Sequence, residues 1–227
     1  MERANSILNK VMCVVGCVVF LVFGGCTSLE GSGKCKLLYK DDFEDGDLSG
    51  WEATDANAWW IEYFEGNMVL SLHEKKSDYK PPVRSPLNRN MIKDLSVGSF
   101  AMSLKMLSTT PDYGHRDLCL FFGYQDASHF YYVHIANKAD AHANSIFIVD
   151  GKPRLSIAKK RTEGTRWDDN WHRVKLVRDI ESGSIEVFFD GKSIMQAADK
   201  TFTSGRIGVG SFDDTGKFDE IKVWSMD

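Results

Sequence analysis

The 227-residue sequence has little of several features that define whole classes of protein. It has no excess of basic residues, since 28 Lys and Arg stand against 32 Asp and Glu for a net charge of −4. A nucleic-acid partner is therefore not expected, because its binding needs a basic face that neutralises phosphates. Only five prolines and no low-complexity tract are present, which excludes a Pro-rich linker protein. Hydrophobic residues make up 43%, which is typical of a folded chain.

Long apolar runs are also missing. Val11 to Phe23 spans 13 residues, whereas a membrane-spanning helix needs about 20. Arg3 and Lys10 precede this run, and a basic start followed by a short apolar run predicts a secretory signal peptide. Residues 23–26, Phe-Gly-Gly-Cys, resemble the lipobox of bacterial lipoproteins, although Phe23 stands where Leu is usual.

This resemblance implies that residues 1–25 are a signal peptide that is removed and that Cys26 then carries the lipid. It implies a bacterial cell-envelope protein anchored in a membrane, and the lack of Asp after Cys26 favours the outer membrane. The alternatives are a plain signal peptide cut nearby, which gives a secreted protein, or an uncleaved anchor. Residues 26–35 then form the anchor and tether, and residues 36–227 form one domain.

Cysteine is scarce in that domain. Cys13 and Cys17 lie in the signal segment, so only Cys35 and Cys119 remain besides the lipid site. Two cysteines in an oxidising compartment can form a disulfide. The sequence does not show whether their Cβ atoms meet, so a disulfide and two separate thiols both stay open.

Strand patterns run through the domain. Large apolar residues recur at every second position in segments 100–106, 173–176 and 185–189, and this period of two is typical of half-buried strands. The pairs Asp150-Gly151 and Asp190-Gly191 separate apolar runs and predict tight hairpins. No long segment has the 3.6-residue period of a helix. The sequence therefore predicts an all-β domain, built as a two-sheet antiparallel jelly-roll sandwich.

Three segments carry a more specific resemblance. Residues 41–51 resemble the first strand and turn of the concanavalin A-like, laminin-G-like sandwich families, residues 171–177 with 187–191 resemble their paired late strands, and residues 205–211 with 218–223 resemble their closing strands. Within that superfamily, Asp47-Leu48-Ser49-Gly50-Trp51 and the closing strands look most like the 3-keto-disaccharide hydrolase domains. This resemblance implies an exported protein that processes sugars, but a shared fold does not establish an activity.

Histidines are concentrated in the middle of the chain, where four of the six lie between residues 115 and 142. On the strand at 128–135, Tyr132 and His134 share one face, while Val133 and Ile135 share the other. The two aliphatic residues indicate that the second face points to the core. Tyr132 and His134 are then expected on the opposite face of the sheet.

These and neighbouring polar residues form a candidate saccharide site, because aromatic rings cover sugar C–H patches while polar groups bind hydroxyls. Its predicted members are Tyr132, His134, His115, Arg116, Asp117, His142 and Asn144. The alternative interpretation is a set of ion pairs, ordinary sheet residues and loop residues with no shared ligand.

Two functions fit such a site. The first is cleavage of a modified or acidic saccharide, of hydrolase or lyase type, by proton abstraction. His134 or His142 is then the base, Tyr132 the proton donor, and Arg116 or Asn144 the group that stabilises the oxyanion. The second is a non-catalytic glycan-binding or surface-scaffold module. Hydrolysis by paired carboxylates is disfavoured, because no Glu-x-Asp-x-x-Glu strand is present.

Two groups of residues are candidate metal ligands. The set His129, His134 and His142 lacks a recognised zinc spacing, so core or sugar-binding roles are favoured for these histidines. Carboxylates near the first and last strands suit a structural calcium ion, which sandwich domains of this kind often hold, or are ordinary solvated charges. They are Asp41, Asp42, Glu44 and Asp219. No other cofactor is required.

Overall fold

A computed structural model describes residues 35–226. Within this range the chain forms sixteen strands, and its one helical element is a single 3-10 turn at Ala56–Ala58. The strands are β1 Lys36–Asp41, β2 Trp51–Ala53, β3 Trp59–Phe64, β4 Asn67–Leu72, β5 Asn88–Val97, β6 Phe100–Ser108, β7 Asp117–Asp126, β8 His129–Ala136, β9 Ser145–Asp150, β10 Leu155–Ser156, β11 Ala158–Arg161, β12 His172–Arg178, β13 Ser184–Phe189, β14 Lys192–Ala198, β15 Gly205–Ser211 and β16 Gly216–Ser225.

These strands build two antiparallel sheets. A nine-stranded sheet has the order β11-β14-β13-β12-β6-β16-β4-β3, with β1 also paired to β16. A seven-stranded sheet has the order β10-β9-β8-β7-β15-β5-β2. The predicted all-β sandwich of two antiparallel sheets is confirmed.

The core lies between the two sheets and follows the alternation of the sequence. Leu104 of β6 stands opposite Val174 of β12 in the nine-stranded sheet, and both are fully buried. They belong to the same apolar cluster as Leu120, Val133 and Ile135 of the seven-stranded sheet. Burial of these side chains, at about 25 cal/mol per Å² of apolar surface, holds the sheets face to face.

The seven-stranded sheet is also apolar on its outer face, the face turned away from the nine-stranded sheet. Phe121, Phe130, Tyr132 and Phe147 form a second buried cluster there. On β8 the side chains at 131, 133 and 135 join the core, while those at 130 and 132 lie on the outer face. The predicted division of faces on this strand is confirmed.

An irregular stretch, residues 73–87, lies across part of this outer face; we name it the covering segment. The Asn88 side-chain amide donates to the carbonyls of Glu74 and Lys75, at 3.1 and 3.2 Å. Arg89 donates to the Tyr79 hydroxyl at 2.8 Å, and Val83 packs on the aromatic cluster. The segment therefore explains why so many aromatic side chains of one sheet face are hidden from solvent.

One predicted hairpin is confirmed in detail. Asp190 and Gly191 are the two residues between β13 and β14, and both have positive φ, 48° and 77°. Two-residue loops of this conformation match the twist of paired strands, and glycine adopts it without steric cost. Asp150 ends β9, and Gly151, with φ of 64°, begins the connection to β10.

Cys119 is a buried, free thiol on β7, so the disulfide left open by the sequence is not formed. Its S–H group instead donates to Asp117 at 3.2 Å. The predicted signal peptide, the lipid site at Cys26 and most of the tether lie outside the described residues. In the part of the chain that is described, no helix is long and apolar enough to cross a membrane.

Candidate functional site

Polar side chains replace the aromatic ones where β7 begins and β8 ends. Asp117 and Cys119 lie two residues apart on β7 and so share the outer face. His134 on β8 stands directly opposite Cys119 in the strand register, and Tyr132 lies two residues before it. We call these four residues the floor of the site. All four are buried, with His134 the most exposed at 4%.

Asp117 is the hydrogen-bonding centre of the floor. Its Oδ2 accepts from the backbone N–H of Phe212 at 3.1 Å and from the Cys119 thiol at 3.2 Å. Its Oδ1 accepts from the Ser211 hydroxyl at 3.2 Å. A buried carboxylate is costly to desolvate unless several donors satisfy it, and these three contacts supply them.

His134 is oriented by a backbone group. Its Nδ1 lies 3.1 Å from the carbonyl oxygen of His142, which can only accept, so Nδ1 carries a hydrogen. Its Nε2 lies 3.2 Å from Asp117 Oδ2 but outside hydrogen-bonding geometry. Nε2 is buried without a hydrogen-bond partner among residues 35–226.

Tyr132 places a second unsatisfied group on the floor. Its hydroxyl is buried and has no hydrogen-bond partner in the described part of the chain. Burial raises the pKa of Tyr132 well above its ordinary value, so the phenol keeps its proton. Burial and the neighbouring Asp117 charge likewise raise the pKa of the Cys119 thiol. The floor therefore offers a neutral phenol and a neutral thiol beside a carboxylate.

A more exposed rim surrounds the floor and consists of Lys75, Arg84, Arg154, Phe212 and Asp213. The Arg154 guanidinium lies over the Phe212 ring, 4.2 Å from its centroid, and its Nη2 donates to the His142 carbonyl at 3.3 Å. Arg154 Nε and Nη1 are buried with no hydrogen-bond partner among the described side chains and backbone. Arg84 lies 6.0 Å from the same ring.

Two neighbouring acids, the buried Asp214 and Asp213 of the rim, lie in different environments. Asp214 is buried and accepts from Lys75 at 3.2 Å, from Tyr113 at 2.7 Å and from the backbone of Asp117 at 2.9 Å. Asp213 is exposed as a residue, yet partial burial of its carboxyl and the negative charges of Asp117 and Asp214 raise its pKa. Asp213 thus lies between the buried acids and solvent.

The structure brings together three of the seven residues predicted for the saccharide site: Asp117, Tyr132 and His134. His142 contributes its backbone carbonyl, while its side chain is exposed. His115 is also exposed and pairs with Asp140 at 2.6 Å. The two predicted bases thus occupy different environments, one buried on the sheet and one on the surface.

Arg116 and Asn144 are buried side chains that hold strand ends. Arg116 donates to the side chain and carbonyl of Ser108, at 3.0 and 2.8 Å. Asn144 accepts from the backbone of Ala136 at 3.3 Å and donates to the carbonyl of Thr162 at 3.0 Å. The hydrogen bonds of both residues are thus made to their own scaffold, and their predicted role at an oxyanion stays a prediction.

Several site residues were missed by the sequence reasoning. Phe147 stands opposite Tyr132 in the β8–β9 register, so strand pairing alone points to it. For Cys119, the sequence raises only the question of a disulfide. Arg154 and Asp213 lie in connections, after β9 and after β15, and no local pattern indicates that either reaches the floor.

The histidines His129, His134 and His142, whose spacing disfavours a zinc site, are not brought to one face of the sheet. His129 belongs to the alternate residues of β8 that point to the core side of the sheet, and it pairs with Asp126 at 2.9 Å. His134 belongs to the other set and lies on the outer face. An odd separation along a regular strand puts the two side chains on opposite faces of the sheet.

Three of the four predicted calcium ligands share one cleft of about 380 Å³ beside β1 and β16: Asp42, Glu44 and Asp219. Asp42 pairs with Lys40 at 2.6 Å. Burial raises the pKa of Asp219, which accepts from Asn67 at 2.8 Å. The cleft holds acidic oxygens together with lysines, so the fit to calcium is partial.

Asp41, the fourth predicted ligand, does not line this cleft. Its Oδ1 accepts from the backbone of Phe43 at 2.9 Å. Its Oδ2 accepts from the Tyr39 hydroxyl and from the Trp51 indole, both at 2.8 Å. Asp41 therefore anchors the first strand and its turn.

Comparisons with known proteins agree with the architecture. No protein-family model matches the sequence, and no curated protein matches it. Among solved structures, the carbohydrate-binding module CBM66 from Bacillus subtilis is similar at 15% identity and a TM-score of 0.56, over 79% of this chain and 98% of that one. A putative glycosyl hydrolase from Parabacteroides distasonis matches at 14% identity and a TM-score of 0.52, over 83% and 100%.

The winged bean acidic lectin, in complex with methyl-α-D-galactose, matches at 11% identity and a TM-score of 0.58, over 83% of this chain and 98% of the lectin. At these identities the likeness shows the fold alone. The chain has a two-sheet antiparallel jelly-roll sandwich, the architecture of these solved structures.

Proposed function

We propose that the protein binds an acidic carbohydrate at the site formed by the floor and the rim. The observation that carries this proposal is a group of four buried polar atoms without hydrogen-bond partners among the described residues: Tyr132 Oη, His134 Nε2, Arg154 Nε and Arg154 Nη1. An unsatisfied buried polar atom costs about 1–3 kcal/mol. A ligand rich in hydrogen-bonding groups would recover that energy.

A sugar suits this chemistry because its hydroxyls donate and accept, while its C–H faces pack on aromatic rings. Tyr132 offers a donor, and His134 Nε2 offers a nitrogen whose partner Nδ1 is already fixed as a donor. The Arg154 guanidinium lies 5.6 Å from the ring centroid of the buried Phe147 and 4.2 Å from that of Phe212, and the partly exposed Phe212 ring supplies apolar surface. Such a mixture of apolar walls and a few placed polar groups is typical of small-molecule sites.

The rim favours a negatively charged sugar. Arg84 and Arg154 stand over the same Phe212 ring, and Arg154 has donors to spare. A guanidinium is well suited to a carboxylate, which it binds through charge-assisted hydrogen bonds. We therefore expect a uronic acid, or another sugar with a carboxylate, to be preferred over a neutral glycan.

Cleavage is a second function, and one observation favours it. Because His134 Nδ1 donates to a carbonyl, the neutral imidazole has its lone pair on Nε2, where a general base needs it. In an elimination, Nε2 would take the proton from the carbon next to the sugar carboxylate, and the Tyr132 hydroxyl would protonate the leaving oxygen. His142, the other predicted base, has its side chain on the surface.

With the predicted lipid anchor at Cys26, a glycan-binding sandwich would retain its glycan at the bacterial envelope. Because of the resemblance to 3-keto-disaccharide hydrolase domains, 3-keto-glycosides are also proposed as candidate ligands or substrates. Both statements rest on the sequence alone and belong to the proposal.

The test is a binding and product screen of the purified full-length protein. Polygalacturonate, alginate, neutral dextran and a 3-keto-glycoside are offered in affinity electrophoresis, and each incubation is searched for new reducing ends and for unsaturated uronates. Retardation by an acidic glycan without products supports the binding function. Products that disappear in His134→Gln but persist in His129→Gln support cleavage. Neither retardation nor products would refute the proposal.

A further inference from the structure

Three metal-binding atoms converge on the floor of the site. Asp117 Oδ2, Cys119 Sγ and His134 Nε2 all lie within 4.8 Å of one another. Oδ2 is 3.2 Å from Sγ and 3.2 Å from Nε2. Carboxylate oxygen, thiolate sulfur and imidazole nitrogen are the three ligand types that proteins use for zinc.

The sheet itself fixes this triangle. Asp117 and Cys119 are two residues apart on β7, and Cys119 and His134 are direct partners across β7 and β8. All three positions are therefore set by strand register rather than by a loop. Sites built on regular elements hold their ligands more closely to one geometry than sites built on loops.

Two of the three distances between these atoms are close to those around a tetrahedral ion, and the third, between Sγ and Nε2, is within 4.8 Å. Ligands at the usual zinc distances, roughly 2.0–2.3 Å, are about 3.3–3.6 Å apart along the edges of a tetrahedron. The two measured separations of 3.2 Å are close to this value. Small side-chain adjustments would seat an ion without moving the strands.

A separate observation points to a missing ligand. His134 has a side chain only 5% exposed, yet Nε2 makes no hydrogen bond with any described residue. Its other nitrogen is fixed by the His142 carbonyl, and Asp117 Oδ1 is fixed by the Ser211 hydroxyl at 3.2 Å. Metal-binding histidines and carboxylates are oriented by second hydrogen bonds of this kind.

We propose that Asp117, Cys119 and His134 bind one Zn²⁺ ion. Binding would release the thiol proton of Cys119 to solvent and leave a fourth position for water. Asp213, an exposed residue, has a carboxylate oxygen within 4.8 Å of that of Asp117. An occupied site would take the Nε2 lone pair, so His134 would then be a ligand and not a base.

Co²⁺ is the probe, because thiolate coordination gives a charge-transfer band and tetrahedral geometry gives strong visible bands. The protein used is full length and keeps Cys119 as its one thiol, with four substitutions: Cys13→Ser, Cys17→Ser, Cys26→Ser and Cys35→Ser. We expect both bands to saturate at one Co²⁺ per chain and one Zn²⁺ per chain to abolish them. His129→Gln in the same background is the matched control and should bind unchanged.

Cys119→Ser should lose the charge-transfer band, and its affinity for Zn²⁺ should fall by more than about 100-fold, since loss of an outer partner alone costs about 10–100-fold. Ser211→Ala, which only removes a hydrogen bond to Asp117, tests the site if Cys119→Ser does not fold, and should weaken Zn²⁺ binding about 10-fold or more. Absence of both bands from the single-thiol protein would overturn the proposal, as would a charge-transfer band that persists in Cys119→Ser. Glycan binding through Arg154 is measured separately and can succeed or fail by itself.

Discussion

His134 and Arg154 donate to the same carbonyl oxygen, that of His142, at 3.1 and 3.3 Å. One lies on a strand of the seven-stranded sheet and the other in the connection after β9. This shared acceptor ties the floor to the rim. It also shows how His142 contributes to the site, through its backbone, although the sequence suggested its imidazole.

Asp117→Asn is expected to destabilise the fold by about 3 kcal/mol. The amide cannot accept from all three donors that the buried carboxylate satisfies, and a buried donor left without a partner is costly. Urea unfolding at neutral pH measures the change. Glu163→Gln, an exposed substitution, is the control and should stay within about 0.5 kcal/mol of the parent. A cost below 1 kcal/mol for Asp117→Asn would contradict the buried network.

Asn88→Ala is expected to release the covering segment. The Asn88 amide holds two of its carbonyls, so its loss should cost about 1–2 kcal/mol and expose nearby Lys and Arg residues to trypsin. Limited proteolysis followed by mass spectrometry should find faster cleavage between residues 73 and 87. Asn57→Ala is the matched control, since Asn57 is exposed and its backbone N–H, which the substitution keeps, is the group that donates to Asp55. Equal cleavage rates in both variants would argue against the segment being held by Asn88.

Glu220 should contribute an acid-sensitive part of the stability. Burial raises its pKa, but hydrogen bonds from Arg173 and Lys105, at 2.7 and 2.6 Å, outweigh burial and lower the pKa to about 2. A pKa lower in the folded than in the unfolded chain gives stability that is present above the unfolded pKa of 4.5 and lost as the pH falls towards about 2.

The free energy of unfolding of Glu220→Gln should therefore lie below that of the parent at pH 7, by about 1 kcal/mol because the pairs are partly exposed. The gap should close as the pH falls below 4.5. Urea unfolding at a series of pH values gives both curves. A gap that widens towards low pH would show the opposite linkage.

Calcium at the cleft of Asp42, Glu44 and Asp219 remains a prediction with a direct test. Added Ca²⁺ should raise the melting temperature, since an ion that binds only the folded state stabilises it. Glu44→Gln should reduce this rise, while Glu163→Gln should not. An unchanged melting temperature in Ca²⁺ and in chelator would remove calcium from the account.

The sequence predicted those features of the fold that depend on local alternation. The two faces of β8 follow from Val133 and Ile135, and the hairpin at Asp190-Gly191 follows from the backbone freedom of glycine. The all-β class and the two-sheet architecture follow from the sum of such patterns.

The site was predicted only where it lies on strands. Asp117, Tyr132 and His134 could be grouped because strand parity places them, whereas Arg154 and Asp213 reach the floor from connections whose path depends on the whole fold. Arg116 and Asn144 looked functional because they are polar and adjacent to histidines. Both side chains are buried and hydrogen-bonded to backbone carbonyls, contacts that sequence spacing does not reveal, and their role at an oxyanion stays a prediction.

Calorimetric titration of Arg154→Gln tests the central proposal most directly, because Arg154 is the one rim residue with two buried, unpartnered donor groups. Acidic oligosaccharides from polygalacturonate and alginate are titrated into the full-length protein, with Arg166→Gln, an exposed arginine, as the matched control. We predict that the parent and Arg166→Gln bind an acidic oligosaccharide equally, and that Arg154→Gln binds it about 10–100-fold more weakly, as expected for the loss of charged hydrogen bonds worth about 1.5–3 kcal/mol. Equal affinity in all three proteins, or no binding of any acidic oligosaccharide, would contradict the proposed site.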